Sequence, residues 1–297
     1  MTDGAFAGFH PAVSLAYFTA VIGLGMFLMH PVSLGVSLVC ASGYAVYLLG
    51  RKALRPGLLY MLPMVLVTAA MNPLFNHRGA TILTYLPNGN PVTLESAAYG
   101  IAAAVMLVSV MAWFACFNAV VTSDKLVYLL GRAAPALSLL LSMSLRFVPR
   151  LGAQIKLISA AQRGIGRDVS GGNILQRAAQ GAKILSISVS WTMEHAMETA
   201  DSMKARGYGL PGRSMFSIFR FCRRDVYAMA FISLCVAAVV AGALSGAYHF
   251  RYFPTIQGRW GGGQTAGVFA AHFALCVFPI IVSLKEELAW KIIRSKG

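Results

Sequence analysis

Six runs of the chain are apolar over roughly the length that a helix needs to cross a bilayer. They are Val13–Met29, Val32–Leu49, Gly57–Phe75, Ser96–Val121, Val226–Tyr248 and Thr265–Leu284. A hydrocarbon core of ~30 Å takes about 20 helical residues, fewer where the bilayer thins. Phe, Met, Leu, Ala and Gly fill these runs without the two-residue alternation of a membrane barrel. Only 12% of the 297 residues are charged, about half the share of a soluble domain. The expected fold is therefore all-α: a polytopic integral membrane protein of about six transmembrane helices. His30-Pro31 joins the first two runs in a tight turn.

The formal charge of +15 would suggest nucleic acid on a soluble protein. Here the positive-inside rule accounts for it, and no nucleic acid is expected. If the loop carrying Arg51, Lys52 and Arg55 is cytoplasmic, both termini and residues 122–225 are cytoplasmic too. Lys and Arg then divide 22 inside to 3 outside, the three being Arg78, Arg251 and Arg259. The chain reads as three regions. Residues 1–121 hold four spans and an outer loop at about 72–95, residues 122–225 form a cytoplasmic segment, and residues 226–297 hold two spans and a basic tail. A start without a basic stretch, and with Asp3, gives no expectation of a cleaved signal peptide.

The outer loop pairs a strand-like run, TILTYL, with turn residues Pro-Asn-Gly-Asn, so a small hairpin is expected. Tyr248, Tyr252 and Trp260 are candidate interfacial anchors. His272 is the one ionisable side chain well inside a run. With no intramembrane Asp, Glu, Lys or Arg beside it, packing is a better reading than an ion path. The five cysteines stand apart at 40, 116, 222, 235 and 276, a spacing that supports neither a zinc site nor a disulfide framework. No cofactor is expected.

The cytoplasmic segment holds 15 basic and 6 acidic residues. Its spacing predicts long amphipathic helices over about Asp124–Arg132, Ala136–Arg163 with a kink at Pro149, and Asn173–Arg206. Ser138–Leu145 is apolar but too short to span before Arg146. Lys125 with Arg132, and Lys156 with Arg163, stand seven apart on shared faces. Glu194, Glu198 and Asp201 form an acidic stripe beside Met193, Met197 and Ala200. A solvated face, or a partner for nearby Arg, explains that stripe better than a metal or catalytic site. Basic amphipathic helices of this kind also suit an anionic lipid surface.

Two of these helices end alike: Gln162-Arg163-Gly164-Ile165-Gly166 and Ala205-Arg206-Gly207-Tyr208-Gly209. Either alone is a helix end whose Arg complements the dipole and whose Gly closes the last turn. As a pair in one segment they suit docking. A guanidinium fork pairs bidentately with carboxylates, and glycine lets a second surface approach closely.

Carrying these two motifs, the chain resembles the transmembrane T component of energy-coupling factor transporters. That family has two X-Arg-Gly motifs on cytoplasmic coupling helices, usually with Ala or Ser first. Ala205-Arg206-Gly207 matches fully; Gln162-Arg163-Gly164 departs at its first position. The resemblance implies a non-catalytic scaffold in a bacterial or archaeal cytoplasmic membrane. Two ABC-type ATPases, docked through Arg163 and Arg206, would drive it. A small integral membrane S component would bind the vitamin or transition metal taken up. Gly and Pro residues of the coupling segment are candidate hinges. A conventional ABC permease would need a single Glu-Ala-Ala coupling loop, which Glu194-His195-Ala196 does not supply. A membrane-embedded enzyme would have only the acidic stripe with His195 to work with. A channel or secondary carrier is disfavoured by the uncharged runs.

Overall fold

The computed structural model of the chain describes residues 5–85, 89–167, 171, 173–211, 219–246, 248–258 and 262–296. After a single 3-10 turn at Ala5–Gly8, the helices are α1 (Pro11–Phe27), α2 (Pro31–Phe75), α3 (Leu94–Val120), α4 (Ser123–Ala133), α5 (Pro135–Gly164), α6 (Ile174–Ala205), α7 (Arg223–Leu244) and α8 (Gly263–Lys296). Two short antiparallel pairs accompany them: β1 (Ile82–Tyr85) with β2 (Pro91–Thr93), and β3 (Phe250–Arg251) with β4 (Gln257–Gly258). The chain divides into two compact units, a membrane unit (Met1–Leu126 with Phe219–Gly297) and a second unit (Val127–Ile218) that holds most of the segment expected to couple and takes the name coupling unit from that expectation.

The helix starts follow from local chemistry. Pro occupies the first turn of α1 and of α2, after His10 and His30, whose Nδ1 atoms accept from Ala12 N and Val32 N. Pro is favoured there because that turn has no use for its missing N–H. Thr93 caps α3 by accepting from Ser96 N at 3.3 Å. The helix α2 changes direction at Gly50, whose φ of 73° and ψ of 159° are not helical. Positive φ is open to glycine without a Cβ penalty.

In the membrane unit, close helix contact rests on small residues. A Cβ on Gly100 of α3 would stand 2.5 Å from Ala69 O of α2, and one on Gly242 of α7 would overlap the Val268 side chain of α8. Small residues matter here because lipid supplies no hydrophobic drive between helices. The centre is aromatic. Phe6, Tyr17, Phe18 and Trp113 are fully buried and make edge contacts, Tyr17 with Trp113 at 6.1 Å between centroids. Buried polar atoms are spent inside: Trp113 Nε1 donates to Ser37 Oγ at 3.0 Å, and the Tyr17 hydroxyl donates to Leu275 O at 3.1 Å. The outward faces carry large apolar side chains such as Val39, Phe75 and Leu244, as a lipid-facing surface requires.

The chain is thus an all-α, multi-pass membrane protein. Among the described residues, five helical stretches are long and apolar enough to span: Pro31–Gly50, Leu94–Val120, Pro135–Gly164, Arg223–Leu244 and Gly263–Arg294. Four of these coincide with expected runs. The other two runs fall on shorter apolar stretches, Pro11–Phe27 and Met61–Phe75. The fifth long helix, α5, lies where an amphipathic helix over about Ala136–Arg163 is expected, with only its apolar part Ser138–Leu145 judged too short to cross. It continues through Pro149 without interruption, so its apolar N-terminal half and its C-terminal half form one 30-residue helix.

The expected hairpin forms between β1 and β2, although Leu86, Pro87 and Asn88 of its turn lie outside the described residues. The second pair, β3–β4, has no clear pattern in the sequence. Tyr248 and Tyr252 are not interfacial anchors. Both are buried, and the Tyr252 hydroxyl donates to Met29 O at 2.9 Å. Trp260 lies outside the described residues. His272 is buried, with Nε2 3.7 Å from Cys276 Sγ, in keeping with the packed reading.

Gly100→Val should lower the stability of the detergent-solubilised protein by about 1–3 kcal/mol, because the carbonyl of Ala69 cannot yield as a side chain would. Gly43→Ala, where nothing lies within 4 Å of the new Cβ, is the control. Thermal unfolding of both variants reads the difference.

Candidate functional site

The coupling unit is built on α5 and α6. Asn173 starts α6 with a capping box: its side chain accepts from Ile174 N at 2.8 Å, and Gln176 Oε1 accepts from Asn173 N at 3.2 Å. The two helices meet through a column of rings. Phe147 stacks on Trp191 at 6.1 Å, and Trp191 stacks on His195 at 5.3 Å with a 13° interplanar angle. Arg150 Nη1 donates to His195 Nε2 at 2.6 Å, and its guanidinium lies 5.9 Å from the Trp191 ring centre. With Nε2 accepting, the ring proton sits on Nδ1, which faces Glu198 Oε2 at 3.3 Å. Glu198 therefore serves an intramolecular contact, with His195 and not with the nearby arginine expected of the acidic stripe. Glu194 and Asp201 are solvent-exposed.

From this junction the helices run on to the two motifs. At ~1.5 Å per residue, Arg163 lies about 20 Å along α5 from Arg150, and Arg206 about 17 Å along α6 from His195. Both arginines are exposed. Both helix ends close in the same way. In the first, Gly166 (φ 76°) takes the left-handed position; Arg167 N donates to Gln162 O at 2.9 Å and Gly166 N to Arg163 O at 3.0 Å. In the second, Gly207 (φ 79°) takes it; Tyr208 N donates to Met203 O at 3.0 Å and Gly207 N to Lys204 O at 2.9 Å. Paired six-to-one and five-to-two bonds of this kind are the Schellman closure, which satisfies carbonyls that a helix end would leave open.

The two closures fall at different places in the motif. Gly207 is the capping glycine of the second tip, while Gly164 of the first is still helical and Gly166 caps instead. The expectation that the Gly after Arg closes the helix thus holds for Gly207 and not for Gly164. The pattern Arg-Gly-apolar-Gly offers two capping glycines, and α5 uses the later one. Gln162 and Ala205 precede the arginines; Gln162 is half-buried, while Ala205 is exposed. Beyond each arginine an apolar side chain is exposed, Ile165 at the first tip and Tyr208 at the second.

Three positions that sequence reasoning passed over matter here: Phe147, Arg150 and Trp191. Their signal was present as a lone tryptophan one turn before His195 and as Phe147 and Arg150 spaced three apart on α5. Only pairing the two helices gives it meaning.

Stretches of the chain are similar to known proteins. Over 105 residues, 35% of this chain and 38% of the relative, it is 31% identical to the energy-coupling factor transporter transmembrane protein EcfT of Lactobacillus helveticus. It is 40% identical over 90 residues to EcfT of Lacticaseibacillus paracasei, covering 30% of this chain and 34% of that protein. With EcfT of Bacillus selenitireducens it shares 32% identity over 111 residues, 37% of this chain and 41% of the relative. The chain thus spans about two fifths of the length of the curated relatives it matches. No protein-family model matches it.

Gly166→Ala and Gly207→Ala should each loosen a helix end by about 1 kcal/mol, since each forces a Cβ into the left-handed region. Gly164→Ala should leave α5 unchanged, being helical with nothing within 4 Å of a new Cβ. Hydrogen exchange of the last-turn amides separates the two cases. A Gly164→Ala variant that keeps its helix but loses a binding partner would show that the partner approaches there.

Proposed function

We propose that this chain is the T component of an energy-coupling factor importer. Its coupling unit docks two ABC-type ATPases through the tips Gln162-Arg163-Gly164 and Ala205-Arg206-Gly207. Its membrane unit passes their ATP-driven motion to a small integral membrane S component that binds a vitamin or transition metal. The chain itself hydrolyses nothing; ATP is consumed by the partners. Its place is the cytoplasmic membrane of a bacterium or archaeon, with both termini on the cytoplasmic side.

The observation that carries this reading is the pair of exposed Arg tips, each at the end of a long helix and each closed by the same hydrogen-bond motif. The similarity to EcfT proteins supports it. Arg and Tyr are side-chain types that carry much of the energy at interfaces. A guanidinium flanked by exposed Ile165 or Tyr208 suits an acidic groove with an apolar floor. The α6 face also fits a membrane partner. Leu185, Val189, Met193 and Met197 recur every four residues and are all well exposed, an apolar row left open among the described residues.

Arg163→Ala with Arg206→Ala should leave membrane insertion intact and remove the ATPases from the complex that co-purifies with the tagged chain. Losing one buried charge pair costs about 2–5 kcal/mol, so each single substitution should weaken the association by at least about tenfold. Unchanged retention in the double variant would sink the docking role. In whole cells, an impermeant maleimide should label Gly89→Cys in the outer hairpin and miss both Gly171→Cys and the exposed native Cys222. The reverse pattern would overturn the orientation.

A further inference from the structure

The coupling unit is joined to the membrane unit in sequence at two places, the start of α4 and the approach to α7. Charged side chains from both joints converge on one short piece of backbone in the membrane unit. From α4, Lys125 Nζ donates to Ala7 O at 2.7 Å and to Val120 O, the last residue of α3, at 2.8 Å. From α7, Arg224 Nη2 donates to Gly8 O at 2.8 Å, and its guanidinium lies 4.2 Å from the Phe9 ring centre. Asp225 Oδ1 accepts from His10 N at 3.1 Å, while Oδ2 accepts from Cys222 N at 2.9 Å. The His10 ring also meets Phe221 edge-on at 5.0 Å.

Two of these charges are deeply buried, Lys125 at 5% exposure and Asp225 at 2%. Burial of a charge is expensive and is tolerated only where it is paired or fully hydrogen-bonded. Anchoring the segment does not require them. Phe6 and Phe9 already sink into the core, Phe6 against Tyr17, Phe18 and Phe278. What the charged ties add is a connection between the joints. From Ala7 O to His10 N the backbone spans three residues, about 10 Å at full stretch. So short a span limits how far α4 can shift against α7 before one of these bonds breaks.

We propose that Ala5–His10 is a strap that makes the two joints move together, with Lys125, Arg224 and Asp225 as its positioning residues. It rests on the coupling function proposed above. Displacement of the coupling unit then reaches α1, α3, α7 and α8 as one rigid movement, not as separate tugs on α4 and α7.

The test uses the full complex with its native ATPases in lipid nanodiscs. The chain carries Cys222→Ser and a reporter, Leu244→Cys, at the far end of α7, where the side chain is 85% exposed. Maleimide labelling of the reporter is followed with and without ATP and vanadate, alongside ATP hydrolysis and thermal unfolding. With the strap intact, labelling responds to nucleotide. In Lys125→Met and in Arg224→Gln the complex assembles and hydrolyses ATP, but the nucleotide response of the reporter is lost; Lys125→Arg restores it. A response that persists in both variants overturns the strap. So does a loss of response in strict proportion to lost hydrolysis and lost thermal stability, which would mark a structural role alone. An assembled complex whose intact strap gives no response at Leu244→Cys overturns it as well. An otherwise unaltered chain that retains no ATPase overturns the coupling function, and the strap with it.

Discussion

Charge is costly inside a bilayer; the six apolar runs carry almost none, while Lys125, Arg224 and Asp225 gather where the chain leaves and re-enters the membrane unit. The spans are then held by what remains. Small residues let α2 meet α3 and α7 meet α8 closely, as the Gly100 and Gly242 contacts require. A few internal hydrogen bonds, such as Trp113 to Ser37, satisfy the polar atoms that aromatic packing brings along. The joints are the opposite case. Asp225 sits in the first turn of α7 and also receives the amide that precedes α1, so one carboxylate serves two helix N-termini. Both helix dipoles favour a negative charge there. Lys125 similarly gathers the end of α3 and the Ala5–Gly8 turn.

The two Arg-Gly tips share a five-residue pattern but not a geometry. Arg163 stands three residues before its capping glycine and Arg206 one residue before. Two residues of helix amount to about 200° of rotation, so the arginines leave their helix ends on different sides. The shared Arg-Gly pair therefore presents non-equivalent surfaces at the two ends. A pair of ATPases meeting them would have to do so in two orientations, or through two different grooves. The second glycine of each motif is what permits the choice, because either glycine can accept the left-handed conformation.

Much of the coupling unit was legible in the sequence. Its helix limits follow from Asn173 at a cap, Pro135 in a first turn and glycines past the ends, and these are local signals. The outer hairpin was legible for the same reason. What was hidden depends on partners distant in sequence. Lys125 reads as one of a basic pair on an amphipathic face, yet it is buried because Ala7 and Val120 offer it carbonyls. Tyr248 and Tyr252 have the composition of interfacial anchors, yet they pack inward beside Phe250, Phe269 and Met29. At the tips, the sequence names Arg163 and Arg206 correctly as helix-end residues. It does not say which glycine caps, since Gly164 and Gly166 differ only in the hydrogen bonds of their neighbours.

The remaining question of mechanics is where such a scaffold bends. Glycine and proline within the coupling helices are natural suspects, and Pro149, Gly152 and Gly181 all lie inside α5 or α6. Yet α5 is helical without a break from Pro135 to Gly164, and α6 from Ile174 to Ala205. In the coupling unit, positive φ among the described glycines is confined to Gly166, Gly207 and Gly209, past the helix ends. Levers of this length are stiff along their axes, so a push at Arg163 or Arg206 is not absorbed on the way. It arrives at the ring column of Phe147, Trp191 and His195, where Arg150 fixes one helix to the other. If that junction holds, the two tips cannot move independently, and the displacement passes on to the joints at α4 and α7. The proposed coupling cycle therefore requires α5 and α6 to stay rigid.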